Sequence, residues 1–215
     1  MTTATTSISP GQQADLAIKL DALSDAVDAA LTTFDRQLGQ RFEVEGTPRS
    51  PAYDSVSIGA TVALTGECAN FTYAVVCDDE AAEQMARWMF DLSDDEAPAL
   101  ADTADALNEI PNVAAGMWKA CREGKGERYQ LGLPLFLRGS TWLRVFSKGV
   151  NALSQPLAGP GGVSLQVVLI WQSGVKPGGI LPMSTETTQA ADTTAHLPVN
   201  VLQEATAAVV NTCEV

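Results

Sequence analysis

Positive charge is scarce in this 215-residue chain, where 13 Lys and Arg stand against 26 Asp and Glu for a formal net charge of −13. Such a balance excludes binding driven by counterion release from a nucleic-acid backbone, and it offers no positive surface to draw in an anionic partner from a distance. Histidine is scarcer still. His196 is the single one, so neither a histidine-ligated metal site nor an imidazole-based catalytic triad is expected. The four cysteines, Cys68, Cys77, Cys121 and Cys213, form no CxxC pair and read as reduced thiols. No apolar run reaches the 18 residues or so of a membrane span. The Thr-rich Met1 to Pro10 lacks both the basic residues and the apolar stretch of a secretory signal, which points to the cytoplasm. Lys148-Gly149 and Gly159 to Gly162 lack the order of a phosphate-binding loop, and the four tryptophans are dispersed without the basic groove that a base-stacking platform needs.

Apolar residues, at 46%, are plentiful enough for one well-filled domain with tails. The expected division is a mobile segment over 1–12, one domain over 13–174, a flexible linker over 175–198 and a short helix within 199–215. Leu16, Ile18, Leu20, Leu23, Val27, Ala30, Leu31 and Phe34 recur at roughly helical intervals, predicting a long amphipathic helix over about 13–39. Residues 41–53, with Gly46, Pro48 and Pro51, read as an irregular connection. Val56, Ile58, Ala60, Val62 and Leu64 alternate as in a half-buried strand, and a turn over Gly66 to Asn70 leads to a second strand, Phe71 to Cys77. Asp78 or Asp79 is placed to cap a helix whose apolar residues are Ala82, Met85, Ala86, Met89 and Phe90. Another helix follows over about 99–122. Strand character then returns in Tyr129 to Leu137, Trp142 to Phe146 and Val163 to Trp171. Clustered strands without βαβ alternation predict an α+β fold, an antiparallel sheet packed against helices on one face.

The second of those helices holds the most informative stretch, Asp105-Ala-Leu-Asn-Glu109-Ile-Pro-Asn112-Val-Ala-Ala-Gly116. At about 100° per residue, Asp105, Glu109, Asn112 and Gly116 fall in one narrow stripe, while Leu107, Ile110, Val113, Ala114 and Met117 cover the other side. Any solvated helix face shows polar residues at i, i+4 and i+7, so spacing alone does not mark a site. Chemically, though, a carboxylate beside a carboxamide pairs a fixed charge with a group that both donates and accepts hydrogen bonds without titrating.

With Pro134 downstream, the pattern resembles that of the CheC/CheX/FliY family of chemotaxis phosphatases: an acid or Ser, three residues, Glu, two residues, Asn and later a Pro. The resemblance covers about residues 55–172, and a single copy of the motif makes it CheX-like. It implies a helix-on-antiparallel-sheet fold and hydrolysis of the aspartyl phosphate of a CheY-like response regulator in chemotaxis or two-component signalling. Glu109 and Asn112 are then the catalytic pair, Asn112 orienting the attacking water and Glu109 meeting a cation of the receiver. Asp105, Gly116 and Pro134 support them. The chain would need no cofactor of its own, with Mg²⁺ expected on the partner receiver, and would work as a homodimer paired through Val56 to Leu64 or Val163 to Trp171. A non-catalytic CheX-like module that binds a receiver or signalling complex is the alternative. One departure stands inside the motif: Pro111 occupies a position usually held by a small residue, so the helix is expected either to kink there or to restart at Pro111.

Overall fold

The computed structural model of the chain describes residues 10–52, 56–67, 69–93, 95–139 and 150–172. The expected mobile N-terminus up to residue 9, the strand Trp142 to Phe146, the linker, the terminal helix, His196, Cys68 and Cys213 lie outside the described residues.

Three helices and six strands are described. Helix α1, Pro10–Leu38, opens on a proline, whose missing N–H is harmless in a first turn. Its buried Leu16, Leu23, Ala26, Val27, Ala30 and Phe34 keep the expected period, while Ile18 faces solvent. Strand β1 is the short Glu43–Val44, and β2, Ile58–Gly66, pairs with β3, Asn70–Cys77, as the predicted hairpin. Its turn is closed by the Gly66 N–H, which is shared between the carbonyl of Ala69 at 3.1 Å and Oδ1 of Asn70 at 3.2 Å. A Cβ on Gly66 would lie 2.5 Å from the Tyr129 ring, so glycine is needed there for room. Helix α2, Asp79–Phe90, is capped by Asp78, whose carboxylate accepts the Ala81 N–H at 2.8 Å, and the fold leaves its Phe90 exposed. Helix α3, Leu100–Gly124, follows, and the chain closes with β4, Tyr129–Arg138, β5, Val150–Ala158, and β6, Ser164–Gln172.

All pairings in the sheet are antiparallel, in the order β1-β5-β6-β3-β2-β4. Ile58, Ala60, Val62 and Leu64 of β2, Phe71, Tyr73 and Val75 of β3, and Leu165, Val167 and Leu169 of β6 share one core with the three helices. Ala74, Val76, Val168 and Ile170 form a smaller cluster on the opposite face. This is the α+β arrangement predicted, with α3 packed across β2 and β4.

Three expectations are corrected. Val150–Ala158 is a strand where none was assigned, because its Asn, Ser, Gln and Pro obscure the alternation. Residues 41–52 of the expected irregular connection are more ordered than their glycine and prolines suggest. Two buried amides fasten this connection to the sheet: Gln155 Nε2 donates to the carbonyls of Glu45 and Gly46 at 3.2 and 3.3 Å, and Gln166 exchanges two hydrogen bonds with the backbone of Ala52 at 3.1 and 3.2 Å. Neither segment proposed as a pairing edge is one. The first corresponds to β2, which lies between β3 and β4, and the second to β6, which lies between β5 and β3, leaving β1 and β4 at the edges among the described residues.

Helix α1 is fastened over α3 and the sheet by specific contacts. Trp118 Nε1 donates to the Ala22 carbonyl at 2.8 Å and the Tyr73 hydroxyl to that of Ala26 at 2.9 Å. Arg122, 3% exposed, pairs with Asp21 at 2.5 Å, with Asp25 at 2.9 Å and with Glu127, which also accepts the Tyr129 hydroxyl at 2.6 Å. Burial alone would lower the Arg122 pKa, but the hydrogen bonds it donates to Glu127, Asp25 and Asp21 outweigh that and raise it.

Candidate functional site

Helix α3 presents the motif as an open surface. Asp105 and Glu109 are exposed, and Asn112 and Gly116 are half-buried at the boundary of the packed side. Of the residues assigned to the core face, Leu107, Ile110 and Ala114 are buried, whereas Val113 and Met117 are only partly so. Thr103, Ala106, Pro111, Ala115 and Trp118 complete that face. The packed side is therefore broader than the alternation suggests, because α1, α2 and the sheet all meet α3.

Pro111 does not restart the helix. α3 runs through it from Leu100 to Gly124, and the ring sits on the buried side. The carbonyl of Leu107 loses its usual donor four residues on, yet the helix continues, with Pro111 among its buried residues. Glu109 and Asn112 thus remain neighbours on one continuous helix, about 60° apart around its axis.

Gly116 occupies open ground, since nothing lies within 4 Å of where its Cβ would be. Neither packing nor backbone conformation requires glycine at this position, and in a helix interior glycine is less favourable than alanine by about 1 kcal/mol. An intramolecular role does not explain it.

Pro134 lies on β4, paired with Val62 and hence on a strand that α3 packs against. Between Val62 and Leu64 the register shifts, so that Gly132 and Leu133 together oppose Ala63 in a bulge that immediately precedes Pro134. The structure therefore brings Asp105, Glu109, Asn112 and Gly116 onto one helix face and places Pro134 on the supporting sheet.

One residue at the site escapes the sequence reading. Asn108 directly precedes Glu109 and stands one turn before Asn112, and its Oδ1 is the one side-chain oxygen or nitrogen that is buried without a hydrogen-bond partner among the described residues. The signal for it in the sequence is a second carboxamide four residues before the first, which resembles ordinary helix polarity.

A cleft of about 740 Å³ lies beyond the end of α3, lined by Thr65, Glu67, Glu123, Glu127, Arg128 and Tyr129, and a smaller one of about 120 Å³ lies beside Asp78 and Gly161, neither containing a motif residue. Among the described residues there is no group of three His, Cys, Asp or Glu side chains able to hold a metal ion, and no helix is long and apolar enough to cross a membrane. Cys77 is buried and Cys121 exposed, and both are free thiols. Burial, reinforced by the charges of Asp78 and Asp79, pushes the Cys77 thiol well up, so it stays protonated.

The fold is similar to those of solved CheX, CheC-like and FliY proteins. Residues 58–158, a segment that includes every motif residue, match the family model described as chemotaxis phosphatase CheX. Among solved structures, a CheX from Desulfovibrio desulfuricans is 17% identical with a TM-score of 0.57, covering 71% of this chain and 99% of that one. The CheX in the CheX–CheY–BeF3–Mg²⁺ complex from Borrelia burgdorferi is 24% identical with a TM-score of 0.55, covering 71% and 97%. FliY from Thermotoga maritima is 14% identical with a TM-score of 0.56, covering 78% and 93%. No curated protein matches the chain by sequence.

Proposed function

We propose that this protein is a phosphatase of a phosphorylated CheY-like receiver, with Asn112 and Glu109 as its catalytic pair. The observation that carries this reading is the continuity of α3 through Pro111, which keeps Glu109 and Asn112 side by side on an open face with bare ground at Gly116. The family match, and a related CheX solved with CheY, BeF3 and Mg²⁺, support the receiver as partner.

The substrate is an acyl phosphate on an aspartate. Water attacks phosphorus in line with the acyl oxygen, the phosphorus–oxygen bond to the aspartate breaks, the carboxylate is regenerated and orthophosphate leaves. Little covalent work falls to the phosphatase, since Mg²⁺ and the charged groups that neutralise the phosphoryl oxygens belong to the receiver. Asn112 contributes a carbonyl that accepts a hydrogen bond from the water and holds it in line. Glu109, one turn back, pairs with a cation of the receiver and sets the docking register. Asp105, a further turn back, supports Glu109 from the flank.

The test is to add the protein to a receiver phosphorylated with acetyl phosphate and follow loss of label, together with binding. Glu109→Ala removes a charge pair across the interface, so the affinity for the phosphorylated receiver is expected to fall about tenfold or more, with turnover falling too. Unchanged affinity in a titration calorimeter would remove Glu109 from the interface. Binding of the unmodified protein without any loss of label would leave a receiver-binding module.

We further propose that two copies pair through β4. It is an edge strand, and it carries Leu131, Leu133 and Leu135 exposed, Leu133 at 89%. A long apolar edge of this kind is a ready template for another strand. Light scattering should give twice the mass of the chain for the unmodified protein and the mass of one chain for Leu133→Asp. A monomer before substitution would contradict the pairing.

A further inference from the structure

Asn108 carries a standing cost at the motif, since its buried Oδ1 finds no hydrogen-bond partner among the described residues. A buried amide oxygen without a donor destabilises the native state, and an apolar residue of the same shape would avoid that penalty. It lies on the α3 flank occupied by the buried Pro111 and Ala115, four residues before Asn112, where side chains one turn apart come within about 5–6 Å at Cβ.

We propose that Asn108 is a positioning residue that fixes the orientation of Asn112 when the receiver docks. The inference rests on the phosphatase reading above. Asn112 is useful only one way round, with Oδ1 toward the water. Its Nδ2 hydrogens then point elsewhere and need an acceptor. The carbonyl oxygen of Asn108, one turn earlier and unengaged, is placed to be that acceptor after a rotation of its side chain. The two amides form an i,i+4 hydrogen bond of the kind that joins neighbouring polar side chains on helices. Docking over the stripe shields the pair from water, which strengthens the bond and excludes the flipped amide, whose oxygen would face the Asn108 oxygen. Glu109 cannot serve this purpose, since its carboxylate is committed to the receiver's cation.

Two isosteric substitutions separate this role from a structural one. Asn108→Leu removes the acceptor while filling the same space, and Asn108→Asp keeps an acceptor oxygen. For Asn108→Leu the expected result is a single-turnover hydrolysis rate about tenfold lower, with unchanged affinity for the phosphorylated receiver and a Tm at or above that of the unmodified protein. Asn108→Asp should retain most of the rate. Full-rate hydrolysis by Asn108→Leu, with Asn112→Ala still inactive, would overturn the positioning role alone. Absence of hydrolysis by the unmodified protein would overturn both this role and the phosphatase reading. A rate loss in Asn108→Leu accompanied by an equal loss of affinity or a lowered Tm would assign Asn108 to docking or folding and overturn the role as stated.

Discussion

Asn112→Ala is expected to abolish nearly all hydrolysis while leaving the receiver bound. The substitution removes a neutral amide from a half-buried position on α3 and leaves Glu109 and the rest of the docking face unchanged. Affinity for the phosphorylated receiver should therefore stay within about twofold, because the charge pair that sets it is intact. The chemical step loses the group that aligns water with the breaking bond, and misplacing a positioned reactant costs on the order of a hundredfold in rate. Single-turnover decay of the labelled receiver, measured with the phosphatase in excess, isolates that step from binding. A decay rate within a factor of about three of the unmodified protein would assign the water to some other group.

The largest effect on stability is expected at Arg122, far from the motif on the same helix. Its guanidinium is 3% exposed and is the shared partner of Asp21, Asp25 and Glu127, which are 54%, 13% and 30% exposed. Arg122→Leu fills the space but leaves three carboxylates facing one another with only Lys125, 2.8 Å from Asp25, to offset them. Breaking a buried pair costs about 3–5 kcal/mol, and the half-exposed Asp21 puts this case near 3 kcal/mol, or roughly 6–12 °C in Tm for a domain of this size. The loss should also depend on pH. Burial by itself would raise the Asp21 pKa, but the hydrogen bonds from Arg122 and Lys125 prevail and hold it below its ordinary value of 3.8. Its contribution is thus present above about pH 4 and fades as the pH falls through the depressed folded-state value. The gap in Tm between the two proteins should be wide at pH 7 and narrow toward pH 3. An equal gap at both values would show that packing, and not charge pairing, is what Arg122 supplies.

The sequence exposed those parts of the fold whose residues repeat with a clean period. The α1 pattern, the β2–β3 alternation and the capping aspartate of α2 each follow from local physics, and each occupies the expected place. β5 was hidden because pairing on both sides, not hydrophobic alternation, makes Val150–Ala158 a strand. The same is true of 41–52, which is held by the side-chain amides of Gln155 and Gln166 from more than a hundred residues away. Edge identity was illegible for a related reason. Which strand closes a sheet depends on the order in which strands assemble, and β4 arrives at the edge beside β2 only because the hairpin and β6 occupy the positions between it and β5. At the site, the stripe from Asp105 to Gly116 was readable from spacing, and the effect of Pro111 was not. Whether a proline breaks a helix is decided by what packs around it, and here α3 continues through Pro111 with the ring on the buried side. Asn108 was invisible for the complementary reason, since an unpaired oxygen is a property of surroundings and leaves no mark on the order of residues.

The central claim is that the face bearing Glu109 and Asn112 hydrolyses an aspartyl phosphate. It is tested most directly by mixing the full-length protein in excess with a CheY-like receiver carrying labelled phosphate and Mg²⁺, and timing the release of orthophosphate against the receiver alone. Release at least a hundredfold faster than the receiver's own decay, lost in Asn112→Ala and with binding retained, is the predicted result. Release no faster than the receiver's own decay, or equal acceleration by the unmodified protein and Asn112→Ala, would contradict it.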